Sequence, residues 1–150
     1  MVLDERTILV GVNQRTHVSG YEFLRDYFVG TYYEVIAVPH RQLHLDCCLN
    51  PLGMGHLLIH PDSLLVDDER VWQVLKQRDW IEIDPVEREH LATNILSIQS
   101  DTVIARDHPA CARVNGVLQE LGDTVEEVGF DGVPAVGGSF RCASLVLTRG

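Results

Sequence analysis

The side chains best suited to chemistry stand at the end of this chain. GGSFRC occupies residues 137–142 and sets Cys142 directly behind Arg141 and a glycine pair. Glycine lets backbone come close to a ligand, and an adjacent guanidinium favours a thiolate. Cys142 therefore reads as a nucleophile. The alternative is a buried structural cysteine, the commoner role for a free thiol. A second group is HLD, residues 44–46. On a strand, positions i and i+2 share a face, so His44 and Asp46 are expected to project together. The carboxylate would favour the protonated imidazole that a general acid needs. The competing reading is a hydrogen-bonded polar pair in a half-buried strand. Arg15, in the loop after the first apolar run, offers a guanidinium that binds carboxylates bidentately, or else is simply solvated.

The other chemically capable residues carry less. Cys47 and Cys48 point to opposite faces of the same expected strand, and packing is the default for both. Cys111 falls on the apolar stripe of a helix and reads as core. No CxxC spacing exists, which disfavours a disulfide framework or a thiolate zinc site. His40, His44, His56 and His60 form two pairs at i, i+4. That spacing chelates on a helix, but on a strand it separates the rings by roughly 13 Å. Pro39 and the β-rich context favour strand, so no metal is expected, and no cofactor either. P-loop, GxGxxG and GxSxG motifs are absent. Asn94 reads as a satisfied polar group.

These residues must be positioned by alternating strands and helices. RTILVGV (6–12) is the first expected strand. Ser19 and Glu22 fit a capping box for a helix carrying Tyr21, Leu24 and Phe28, ended near Gly30. YYEVIAVP (32–39) is the next strand. LHLDCCL (43–49) and HLLIH (56–60) read as a strand pair across the turn residues Asn50, Pro51 and Gly53. Asp67 or Asp68 caps a helix with Val71, Trp72 and Leu75 inward, and DWIEID (79–84) follows as a strand. ILSI (95–98) and TVIA (102–105) flank QSD. Pro109 opens a helix with Cys111, Val114, Leu118 and Leu121 on its stripe. TVEEVGF (124–130) and SLVLTR (144–149) close the chain. A strand–strand–helix–strand unit thus recurs about two and a half times, its first copy lacking the first strand. The fold class expected is α/β, a single domain over residues 1–150 built of roughly three repeated units, the first incomplete.

Bulk properties bound the function. At 150 residues and 45% hydrophobic composition the chain can build a core. A formal net charge of −10 disfavours nucleic acid and anionic membranes as partners. No apolar run approaches the roughly 18 residues that span a bilayer. MVLDERTILVG carries acidic residues where a signal peptide would be basic, so a cytoplasmic protein is expected. The same stretch starts abruptly, as expected of a chain whose upstream sequence has been lost or is supplied by another chain.

Taken together and in order, RTILVGVNQRT, HLD with PLG, LATNIL and GGSFRC resemble the guanidine-modifying superfamily. Its members include arginine deiminases, dimethylarginine dimethylaminohydrolases and amidinotransferases, and their shared fold is the pentein, an α/β-propeller. The resemblance spans Val2 to Gly150 and is to the C-terminal half of such enzymes. It implies a partial propeller, a small guanidino substrate such as arginine, and a covalent intermediate on Cys142. It further implies that His44 is the general acid/base, that Asp46 grips the guanidinium and that Arg15 binds the substrate carboxylate. Either water or an amine could be the acceptor. The superfamily also uses carboxylates that precede a strand like MVLDERTILVG. A half-propeller would leave sheet edges and an open core. It is therefore expected to form a homo-oligomer or pair with an N-terminal half. A catalytically incomplete binding subunit is the alternative.

Overall fold

The computed structural model describes residues 1–145. Three small sheets follow one another along the chain. The first holds β1 (Thr7–Val12) and β2 (Glu34–Pro39), parallel and joined by α1 (Val18–Tyr27). The second runs β3 (Leu49–Pro51), β4 (His56–Ile59), then α2 (Glu69–Leu75) and β5 (Asp79–Glu82). Here β3 pairs antiparallel with β4, and β4 pairs parallel with β5. Helix α3 (Pro85–Glu89) links this unit to the third, which repeats the pattern with β6 (Leu96–Ser97), β7 (Thr102–Arg106), α4 (Ala112–Glu120) and β8 (Thr124–Val128).

The first unit is more complete than the sequence suggests. Val2 forms an antiparallel bridge to Ile8, and Leu3 N donates to Thr7 O at 2.9 Å. This stub takes the place of the first strand. It is one bridge long, too short to show alternation in sequence.

Burial explains the layering. Strand β4 is buried along its whole length, as expected of a strand covered on both faces. Its residues alternate between two cores. Leu57 and Ile59 pack with Leu9, Val38, Leu49 and Leu75. Leu58 packs with Ile81, Ile95, Val103, Val114 and Leu118. Each such fully buried side chain is worth about 1.5–3 kcal/mol, so the middle unit is gripped from both sides.

Several elements differ from expectation. LHLDCCL is not a strand: residues Leu45–Cys47 form a 3₁₀ turn and β3 begins only at Leu49. Leu45 and Cys48, three apart, are buried by the 3₁₀ period, whereas Leu43 is 46% exposed. Helix α1 is not opened by a Ser19–Glu22 box, because His17 is its N-cap and accepts from Ser19 N through Nδ1. A reciprocal capping box stands instead at α3, between Asp84 and Glu87. Asp68 caps α2, as anticipated. Pro109 opens a 3₁₀ turn ahead of α4, and Leu121 lies past the helix end, exposed. The closing strand expected over 144–149 falls mostly on residues 146–150, which lie outside the described residues.

Candidate active site

The 3₁₀ turn sets the geometry of HLD. His44 is its extended N-cap, with φ −130° and ψ 160°. Leu45, Cys47 and Cys48 anchor the turn in the core. That anchoring leaves His44 exposed and Asp46 half-buried beside it. The reason they stand together is the turn, not the strand periodicity that sequence suggests.

Cys142 approaches from the other end of the chain. A nitrogen of His44, a carboxylate oxygen of Asp46 and Cys142 Sγ all lie within 4.8 Å of one another. The Cys142 thiol faces Asp46 Oδ2 at 4.0 Å. The glycine pair contributes as its loop requires. Gly137 has φ +89°, left-handed backbone that favours glycine. A Cβ on Gly138 would sit 3.4 Å from Cys142 Cβ.

Arg141 is engaged by two other side chains around the site. Its Nη1 donates to Asn50 Oδ1 at 2.8 Å, and its Nε lies 3.8 Å from Asp46 Oδ2. Asn50, read from sequence as a turn residue, is a fully buried member of β3. Asn94, read as a satisfied polar group, is satisfied by the site itself. It donates to Cys142 Sγ at 3.4 Å and accepts from the backbone of Arg141 at 3.0 Å. The only available signal was a polar residue inside the apolar run ATNIL, which must find partners for a whole carboxamide once buried.

Arg15 is exposed and joins none of these contacts. Its loop is nevertheless tied to the approach to His44. Asn13 Nδ2 donates to Gln42 O at 2.6 Å and Leu43 O at 3.2 Å, while Asn13 Oδ1 accepts from Arg15 N at 2.8 Å.

The other thiols have a different character. Burial pushes the thiols of Cys47 and Cys48 up to about 12, and that of Cys111 upward as well. All three are buried, and Cys142 is the exposed cysteine. His40, His56 and His60 are buried, and His40 lies close enough to His44 and Asp46 to feel their charges, but it is not one of the grouped side chains. His60 Nδ1 meets Ser63 Oγ at 2.8 Å, and His56 Nε2 lies 3.6 Å from Asp123 Oδ2. His44, Asp46 and Cys142 carry donor types and a spacing that a metal ion could use. A cleft of about 930 Å³ borders the site, lined by Leu3, Asp46, Leu52, Ile98 and Arg141.

The site thus joins a thiol, an imidazole and a carboxylate within 4.8 Å of one another, on successive small α/β units. The family model for eukaryotic N,N dimethylarginine dimethylhydrolase matches residues 1–148, and the chain belongs to that family. It is 30% identical over 150 residues to the uncharacterized protein YkgA of Bacillus subtilis (strain 168), covering all of this chain and 51% of that protein. The chain thus spans about half the length of that curated relative. Its fold is similar to the N-terminal domain of ArgZ, an arginine dihydrolase from the ornithine-ammonia cycle in cyanobacteria. There the TM-score is 0.81 at 22% identity, over 95% of this chain and 52% of the other. The amidinotransferase SxtG of Microseira wollei gives a TM-score of 0.79 at 23% identity, over 96% of this chain and 45% of the other. Among the described residues, no helix is long and apolar enough to cross a membrane.

Proposed function

We propose that this chain, a single domain, carries the nucleophile-bearing half of a cytoplasmic enzyme of guanidine chemistry. Its substrate is arginine or a related guanidino compound, such as the methylated arginine in the family's name. The observation that carries this reading is the convergence of His44, Asp46 and Cys142 within 4.8 Å.

A guanidinium carbon is electrophilic but resonance-stabilised, so orientation and charge complementarity must do much of the work. Asp46 binds the cationic guanidinium next to the sulfur. The Cys142 thiolate adds to the central carbon, forming an S–C bond. The C–N bond to the departing nitrogen then breaks, and His44 supplies the proton that lets it leave as a neutral amine. A thiouronium adduct remains on Cys142. His44, now neutral, takes a proton from water as it attacks that carbon, and the S–C bond breaks to release a ureido product and the thiolate. An acceptor amine in place of water gives amidino transfer. Arg15, on a loop anchored beside His44, binds the substrate carboxylate.

Further carboxylates for the guanidinium come from a partner surface over the cleft beside Asp46 and Arg141. An N-terminal half is the occupant best matched to relatives of about twice this length, and a homo-oligomer is the other arrangement. A catalytically incomplete binding subunit is the competing function. Incubating the chain, alone and with an N-terminal half, with arginine or N,N-dimethylarginine tests the reading. Ureido product from the wild type and none from Cys142→Ala supports it. Product formation that survives Cys142→Ala contradicts it.

A further inference from the structure

We infer that Asn94 is the positioning residue of the nucleophile: its carboxamide fixes the Cys142 loop against the Asp46 turn and donates to the sulfur. The inference rests on Cys142 being the reactive thiol.

The carboxamide is 1% exposed and uses all its hydrogen-bonding capacity. Oδ1 accepts from Arg141 N at 3.0 Å and from Cys142 N at 3.3 Å. Nδ2 donates to Cys142 Sγ at 3.4 Å and to Asp46 O at 3.4 Å. The orientation is dictated by chemistry. Two backbone N–H groups require an acceptor, so the oxygen must face them and the NH₂ must face the sulfur. One side chain therefore joins two segments that lie 96 residues apart at Cys142 and Asp46.

The backbone around Asn94 is built to hold it. Asn50 Nδ2 donates to Thr93 O at 2.7 Å and to Ile95 O at 2.8 Å, gripping the carbonyls on either side. Asn50 Oδ1 in turn takes Arg141 Nη1. Asn94 N donates to Leu91 O at 2.9 Å, closing a turn in which Leu91 has φ +60°. Left-handed backbone at a leucine costs about 1–3 kcal/mol and persists only where the surroundings enforce it. Such strain gathers at functional sites, and here it sits three residues before Asn94.

A donor aimed at sulfur favours the thiolate over the thiol. Asn94→Asp keeps the shape and the acceptor for both N–H groups but turns an anionic oxygen toward the sulfur. The test is alkylation of Cys142 by iodoacetamide from pH 5 to 10, read by peptide mass, on the full chain. Asn94→Asp is expected to move the midpoint of the profile about one pH unit alkaline, roughly tenfold slower labelling below the midpoint. Asn94→Ala removes the Nδ2 donor without adding a charge, so a smaller shift of the same sign is expected. It serves equally if Asn94→Asp does not fold. A purely structural role would lower thermal stability in both variants without moving the midpoint. Profiles that superimpose on the wild type overturn the inference. The outcome is separable from that of the proposed reaction. A wild type that turns over no guanidine even with an N-terminal half contradicts the reaction, whereas the shift between variants is read from alkylation alone.

Discussion

The thiol of Cys142 faces Oδ2 of Asp46 at 4.0 Å. A carboxylate so close opposes a thiolate rather than activating it, with Arg141 Nε 3.8 Å away as partial counter-charge. The arrangement makes sense when a cation lies against both groups at once. Opposite charges about 4 Å apart attract by about 1 kcal/mol in water and about 4 kcal/mol at an effective dielectric constant of 20. Asp46→Asn should therefore slow labelling of Cys142 by a cationic haloacetamidine at least about fivefold. Labelling by neutral iodoacetamide should stay the same or quicken. Equal slowing by both reagents would show that Asp46 acts on the sulfur instead.

Selectivity among the four thiols follows from burial. Cys47 and Cys48 are held at about 12 and Cys111 is raised, while Cys142 is exposed. The thiolate is the nucleophile. Native protein at pH 7.5 should take up one iodoacetamide, mapped to Cys142, with the other three reacting only in denaturant. Tryptic mass mapping checks this directly.

The loop leading to Asn94 follows a helix whose buried Glu87 is paired with a half-exposed arginine. Arg113 Nε and Nη2 each donate to one oxygen of Glu87 at 2.6 Å, and Glu87 Oε2 also accepts Asp84 N at 2.8 Å in the α3 capping box. The Glu87 side chain is 4% exposed. Arg113→Ala leaves that buried carboxylate without its partner, and because the Arg113 side chain is 52% exposed and water can enter in its place, the loss is expected to be about 1–3 kcal/mol. The double variant Arg113→Met, Glu87→Gln should recover part of the loss. Denaturant unfolding of the three proteins measures both effects.

Acid sensitivity has a local source at His40. Burial pushes His40 below its ordinary value, helped by nearby His44 and opposed by Asp46. Its unfolded form titrates near 6.5. With the folded value depressed, this contribution to stability is complete above about pH 6.5. It is lost as pH falls through the folded value. Melting temperature should therefore drop between pH 7 and 5. His40→Leu should flatten that part of the curve, while changing stability at pH 8 in either direction. Unchanged slope in His40→Leu would assign the sensitivity elsewhere.

Much of this was legible in sequence where one period dominated. HLLI reads as a strand from its short apolar run, and all four positions prove buried, while the α2 stripe of Val71 and Leu75 follows helical spacing. LHLDCCL was misleading because it satisfies two periods at once. Leu43, Leu45 and Cys47 alternate, while Leu45 and Cys48 are three apart, and the second pattern is the one the core selects. The proximity of His44, Asp46 and Cys142 was expected from resemblance and from residue type. The supporting carboxamides were not. Asn50 and Asn94 are defined by partners 43 to 91 residues away, and no local spacing encodes such partners.

The measurement that bears most directly on the central claim is intact-protein mass after incubation with a haloacetamidine at neutral pH. Wild type, Cys142→Ala and His44→Ala are compared. One amidine is expected on the wild type at Cys142, none on Cys142→Ala, and reduced uptake by His44→Ala. Slow, indiscriminate labelling of all four cysteines, or equal labelling of the wild type and Cys142→Ala, would contradict that claim.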